Sequence, residues 1–84
     1  MATKVKLNKT ETNLISQLSF NRESTEKQTI KNPYSGFSCE LDSQGVALYD
    51  YVIGCEAMGL YDKMSLSLNL FRKLYPDEYY TLLD

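Results

Sequence analysis

Three patterns of apolar and polar positions follow one another along the chain. Over residues 1–26 apolar residues are sparse, and Val5, Leu7, Leu14, Ile15, Leu18 and Phe20 stand among polar runs. Leu14, Ile15 and Leu18 have helical spacing, and Thr10 or Thr12 would cap a short helix within 12–20. So short a helix is marginal in water, because nucleation is costly and few hydrogen bonds follow it. Residues 1–26 are therefore expected to form a flexible polar arm, with "NRESTEKQ" as its linker.

The second pattern is an alternation over 27–41, broken by "NPYSG". Pro33 fixes φ near the value wanted at the second position of a type I turn. The Asn32 side chain is suited to an Asx turn, and Gly36 supplies the left-handed conformation that returns the chain. A hairpin with the four-residue loop 33–36 follows. Its register pairs Asn32 with Phe37, Ile30 with Cys39 and Gln28 with Leu41. Ile30, Phe37, Cys39 and Leu41 then share one face, while Lys31, Ser38 and Glu40 point to water. An isolated hairpin is barely stable, so the apolar face needs a cover.

The third pattern is helical. Asp42 or Ser43 is placed to cap a helix over 43–58, and Gly59 to stop it in the left-handed conformation. Val46, Tyr49, Ile53 and Ala57 make one stripe, widened by Leu48, Val52 and Cys55. Gly45 and Gly54 weaken this helix, and Gly54 is the expected place of close packing. The stretch 62–75 fits strand alternation (Met64, Leu66, Leu68, Leu70) and helical spacing (Met64, Leu68, Phe71, Tyr75). Leucine and methionine dominate it and β-branched residues are absent, which favours a helix capped by Asp62. Pro76 ends that helix and opens a last one over 76–83, with Asp77 and Glu78 in its first turn. The expected fold is α+β: a short hairpin packed on two to three helices in one domain over 27–84, preceded by the arm.

Composition narrows the picture. At 84 residues the chain is near the lower end of what folds alone, although 43% hydrophobic content is ordinary for a globular domain. No apolar run approaches the ~20 residues of a bilayer span, and "MATKVKLNK" lacks the apolar core of a secretory signal. A cytoplasmic setting without membrane contact is the expectation. Cys39 and Cys55 are not spaced as a metal pair, the chain has no histidine, and two reduced thiols are expected. No phosphate loop, dinucleotide fingerprint or nucleophile elbow occurs. Asp50 and Glu56 are six residues apart on one helix and are expected to point in different directions. Neither catalytic residues nor a metal nor a cofactor is expected.

Charge and tyrosine content add two candidate surfaces. Residues 1–39 carry six basic side chains against three acids, and residues 40–84 carry eight acids against three basic side chains. Lys4, Lys6 and Lys9 in the basic part could touch nucleic acid or a nucleotide weakly. Six of the seven tyrosines fall in the acidic part. Tyr49 and Tyr51 lie about 200° apart on a helix, so both cannot face one small core. Tyr79 and Tyr80 raise the same difficulty. With Tyr49 and Tyr79 assigned to the core, Tyr51, Tyr80, Tyr61 and Asp50 are the candidate partner-binding residues.

"NPYSG", "LYDYVIGCE", "FRKLYP" and "YYTLLD" together resemble a group of small uncharacterised proteins of tailed bacteriophages. The resemblance spans 32–84. It implies a small cytoplasmic phage-encoded protein acting during infection, and it carries over no catalytic residue. The expected function is a non-catalytic protein-interaction module acting on a host or phage protein, or on a second copy of itself. The alternative is a nucleic-acid or nucleotide-binding accessory using Lys4, Lys6 and Lys9.

Overall fold

The computed structural model describes residues 6–21 and 23–83. In chain order these form α1 (Lys9–Gln17), β1 (Lys27–Lys31), β2 (Ser38–Asp42), α2 (Ser43–Met58), α3 (Tyr61–Leu74) and α4 (Pro76–Leu82). The class is α+β. β1 and β2 pair antiparallel in the expected register, with Ile30 opposite Cys39 and Gln28 opposite Leu41. The turn closes with the Asn32 N–H donating to the Phe37 carbonyl at 2.8 Å, and Gly36 takes φ +81°.

Asn32 does more than turn the chain. Its Oδ1 accepts from the Tyr34 N–H at 2.8 Å, the expected Asx turn. Its Nδ2 donates to the Thr81 carbonyl at 3.0 Å, satisfying an acceptor in the last turn of α4. The buried side chain thus fastens the hairpin corner to a helix 49 residues away in sequence. Phe37 departs from expectation. It is 71% exposed, because it sits beside the turn, beyond the part of the hairpin where Ile30, Cys39 and Leu41 pack on the core.

Asp42 caps α2, its Oδ1 accepting from the Gly45 N–H at 2.8 Å. The same oxygen accepts from the Tyr75 hydroxyl at 2.7 Å, and that hydroxyl accepts from Gln44 Nε2 at 3.1 Å. Burial and the neighbouring Asp42 carboxylate push the Tyr75 phenol far above its usual range, so it stays a neutral donor. One cap therefore joins the start of α2 to the junction of α3 and α4. Gly59 ends α2 at φ +73°, as expected, and the Leu60 N–H donates back to the Cys55 carbonyl at 2.9 Å.

The buried side of α2 is Gly45 with Leu48, Val52 and Cys55, the residues expected to widen the stripe, while Val46 and Tyr49 are half-buried against the core. Ile53 is 39% exposed and Ala57 is exposed. Apolar residues run round most of this helix, so spacing alone does not say which side the rest of the chain covers. The close approach lies at Gly45, where an added Cβ would stand 3.0 Å from Leu41 Cδ2. At Gly54 it would meet nothing within 4 Å.

The stretch expected over 62–75 is helical over Tyr61–Leu74, as propensity indicated, but Asp62 is not its cap. Leu60 occupies that position without a side-chain bond, and Asp62 lies in the first turn, where its charge suits the helix dipole. α3 buries Ser67, Leu70 and Phe71. The Ser67 hydroxyl is satisfied by the carbonyls of Lys63 and Met64, both 2.9 Å away. Pro76 opens α4, whose Leu82 is buried while Tyr79 and Leu83 pack against the core.

The arm requires the largest correction. α1 begins at Lys9, and its cap is Asn8 rather than Thr10 or Thr12. Asn8 Oδ1 accepts from the Glu11 N–H at 2.8 Å while Glu11 Oε1 accepts from the Asn8 N–H at 3.0 Å, a capping box. Lys73 Nζ on α3 then donates to both oxygens of Glu11 at 2.9 Å. Leu14 and Leu18 join Leu41, Leu48, Leu70, Phe71 and Leu82 in one core cluster. A short helix that is marginal alone holds here because it docks, as most helices do. No helix among the described residues is long and apolar enough to cross a membrane.

Candidate functional site

The hairpin corner, the open side of α2, one side of α3 and the end of α4 enclose a groove of about 580 Å³. Pockets that hold a small ligand or a few side chains run roughly 300–1,000 Å³. Its floor is apolar: Val52, Ile53, Met64, Leu68, Leu82 and Leu83. Pro33 and Tyr34 form one lip, and Asp50 and Glu56 are its charged members.

Local chemistry places each part. The Asn32 bond to Thr81 holds the turn against α4, which brings Tyr34 over the groove. Tyr34 is 96% exposed, an aromatic ring held out at the hairpin corner. On α2, Tyr49, Val52, Ile53 and Glu56 follow the three-and-four spacing of one helix face, and Asp50 flanks it. The two acids therefore border one groove, contrary to the expectation that six-residue spacing separates them. Both are exposed. Burial, and then the charge of Asp50, push the Tyr49 phenol above its usual range, so it is neutral at physiological pH.

The expected partner-binding residues do not gather at one place. Asp50 lines the groove, whereas Tyr51, Tyr61 and Tyr80 do not. Tyr61 and Tyr80 are each 63% exposed. Tyr51 was expected to face water but is half-buried and packs against the core, as Tyr49 does on its other flank. The 200° between them is accommodated because α2 is covered by α3 on one side and by the hairpin on another. Burial and the Cys55 thiol push the Tyr51 phenol up. The pair Tyr79 and Tyr80 meets edge to face at 5.7 Å, with the Arg72 guanidinium 6.0 Å above the Tyr79 ring.

Of the lysines, Lys6 and Lys9 are exposed, and Lys4 lies outside the described residues. Cys39 and Cys55 are both free thiols, Cys55 buried and Cys39 half-buried on β2. Burial, and then Glu78, push the Cys39 thiol up, the direction opposite to that of a reactive thiolate. Among the described residues no group of three or more metal-binding side chains comes together. Glu11 is only 2% exposed, and its carboxyl is held below the ordinary carboxylate range by Lys73 and by the Asn8 N–H. Both of its oxygens are occupied, so it serves as a latch between α1 and α3.

Sequence reasoning missed the groove, Tyr34 and Ile53. The available signal was α2 itself, with more apolar circumference than a domain of this size covers. Comparison with known proteins finds no matching family model, no matching curated protein and no matching solved structure.

Proposed function

We propose that the protein is a non-catalytic interaction module that seats a segment of another protein in the groove. The observation that carries this reading is apolar surface left open along the groove. Ile53 stays 39% exposed beside buried Val52, and Tyr34 stands 96% exposed at the lip. Aromatic and aliphatic side chains around a preformed concavity are what protein contact sites use. The resemblance to small phage proteins supports a partner from the infected host or from the phage itself.

A photo-reactive amino acid in place of Tyr34, compared with one in place of Lys9, tests the reading in cells. Tyr34 should give one dominant protein adduct, and Ile53→Gln should remove it without unfolding the protein. If Lys9 gives the dominant adduct and Ile53→Gln changes nothing, the groove is not the contact site. The exposed Lys6 and Lys9 then carry the function. Capture of nucleic acid that falls steeply with salt is the signature of that alternative.

A further inference from the structure

The charges around the groove specify the partner's chemistry. Among the described residues, two acids and no basic side chain line it. Both acids are on α2, six residues apart, which separates them by roughly 9 Å along the helix axis. An acidic segment, an anionic lipid surface or a nucleic-acid backbone would bring like charge against them. A wholly apolar segment would cover Ile53 and Leu68 but strip water from the carboxylates without replacing it. A lysine or arginine meets both demands. Its aliphatic stem lies along apolar surface while the charged head reaches past it to a carboxylate.

We infer that the groove takes a basic, apolar protein segment: large aliphatic side chains on Ile53, Met64 and Leu68, with flanking lysine or arginine paired to Asp50 and Glu56. The inference rests on the proposed interaction function and gives it a partner class. The acids are exposed in the free protein, so each pairing is of the weak, rim kind. Their contribution is choice of partner and speed of encounter, and the aliphatic contacts supply most of the affinity.

Three 18-residue helical peptides with the same leucine face, flanked by lysine, glutamine or glutamate, test this on the full-length protein. Amide chemical shifts locate each peptide and fluorescence anisotropy measures its affinity at low salt. The lysine peptide should bind about tenfold tighter than the glutamate peptide. Its shifts should centre on Tyr34, Ile53, Glu56 and Leu68. The double variant Asp50→Asn, Glu56→Gln should make the peptides bind alike. If all three already bind the unaltered groove equally, the basic partner is wrong while the interaction site stands. If the lysine peptide shifts only residues elsewhere on the acidic surface, the inference fails. If no peptide shifts any groove residue, the inference and the interaction site fall together.

Discussion

The two sides of α2 are built from the same kinds of residue and have opposite fates. On one side Leu48 belongs to the core cluster, and Val52 and Cys55 beside it are buried. On the other, Ile53 and the flanking Tyr49, Asp50 and Glu56 face a groove that the chain's own elements border but do not fill. The difference is one of coverage rather than hydrophobicity. Open apolar surface lining a groove is where the proposed function places the contact.

The largest test of this contrast is Leu48→Ala. Leu48 has no exposed surface, and deleting most of its side chain should cost about 2–5 kcal/mol. Urea unfolding measures it directly. A cost below about 1 kcal/mol would mean that the closed side is not the core.

Next comes the latch that helps close the core from the α1 side. Glu11→Gln removes the charge that receives Lys73 and weakens the capping box, at a cost of about 1–3 kcal/mol. The same residue sets a pH dependence. Its folded-state pKa lies below the ordinary 4.5, so the unfolded chain takes up the proton first as pH falls. The stability it contributes is therefore complete above about the ordinary carboxylate pKa and is lost as pH falls through the lower, folded value. Melting curves between pH 7 and pH 3 should show Glu11→Gln less acid-sensitive than the parent. Parallel curves would remove the latch from the account.

Gly36→Ala is smaller. At φ +81° an L-residue is disfavoured by about 1 kcal/mol, and the added methyl meets nothing within 4 Å. The loss is then purely conformational, and Ser35→Ala should cost much less. Equal melting midpoints for the two variants would contradict the turn geometry.

How much of this was legible in the sequence depends on how far apart the interacting residues lie. The hairpin and α2 were legible because Pro33, Gly36, Asp42 and Gly59 act on backbone within a few residues of themselves. α3 was legible as a helix from leucine and methionine content, despite its alternating apolar positions. α1 was not. Its cap is Asn8 and Glu11, but Glu11 among lysines looks like one more solvated acid until Lys73, 62 residues on, closes the pair. Residues 6–21 then cease to be an arm and supply Leu14 and Leu18 to the core. The groove was legible only in part. Asp50 was singled out, but periodicity placed Ile53 in the core because it gives the apolar sides of a helix, not which side the chain will cover. Tyr34 gained its place from the Asn32–Thr81 bond, a contact between the corner and the last helix that no local pattern announces.

Ile53→Gln costs little stability and is the most direct test of the central claim that the open side of α2 is a contact surface. Melting and binding of the lysine-flanked peptide are measured on the same sample. Ile53 is 39% exposed and only partly buried, so the folded state should lose about 1 kcal/mol and stay folded. Affinity should fall about tenfold, the loss of one apolar anchor. An intact fold that binds the peptide as tightly as the parent does would show that the open side of α2 is bare surface and not a site.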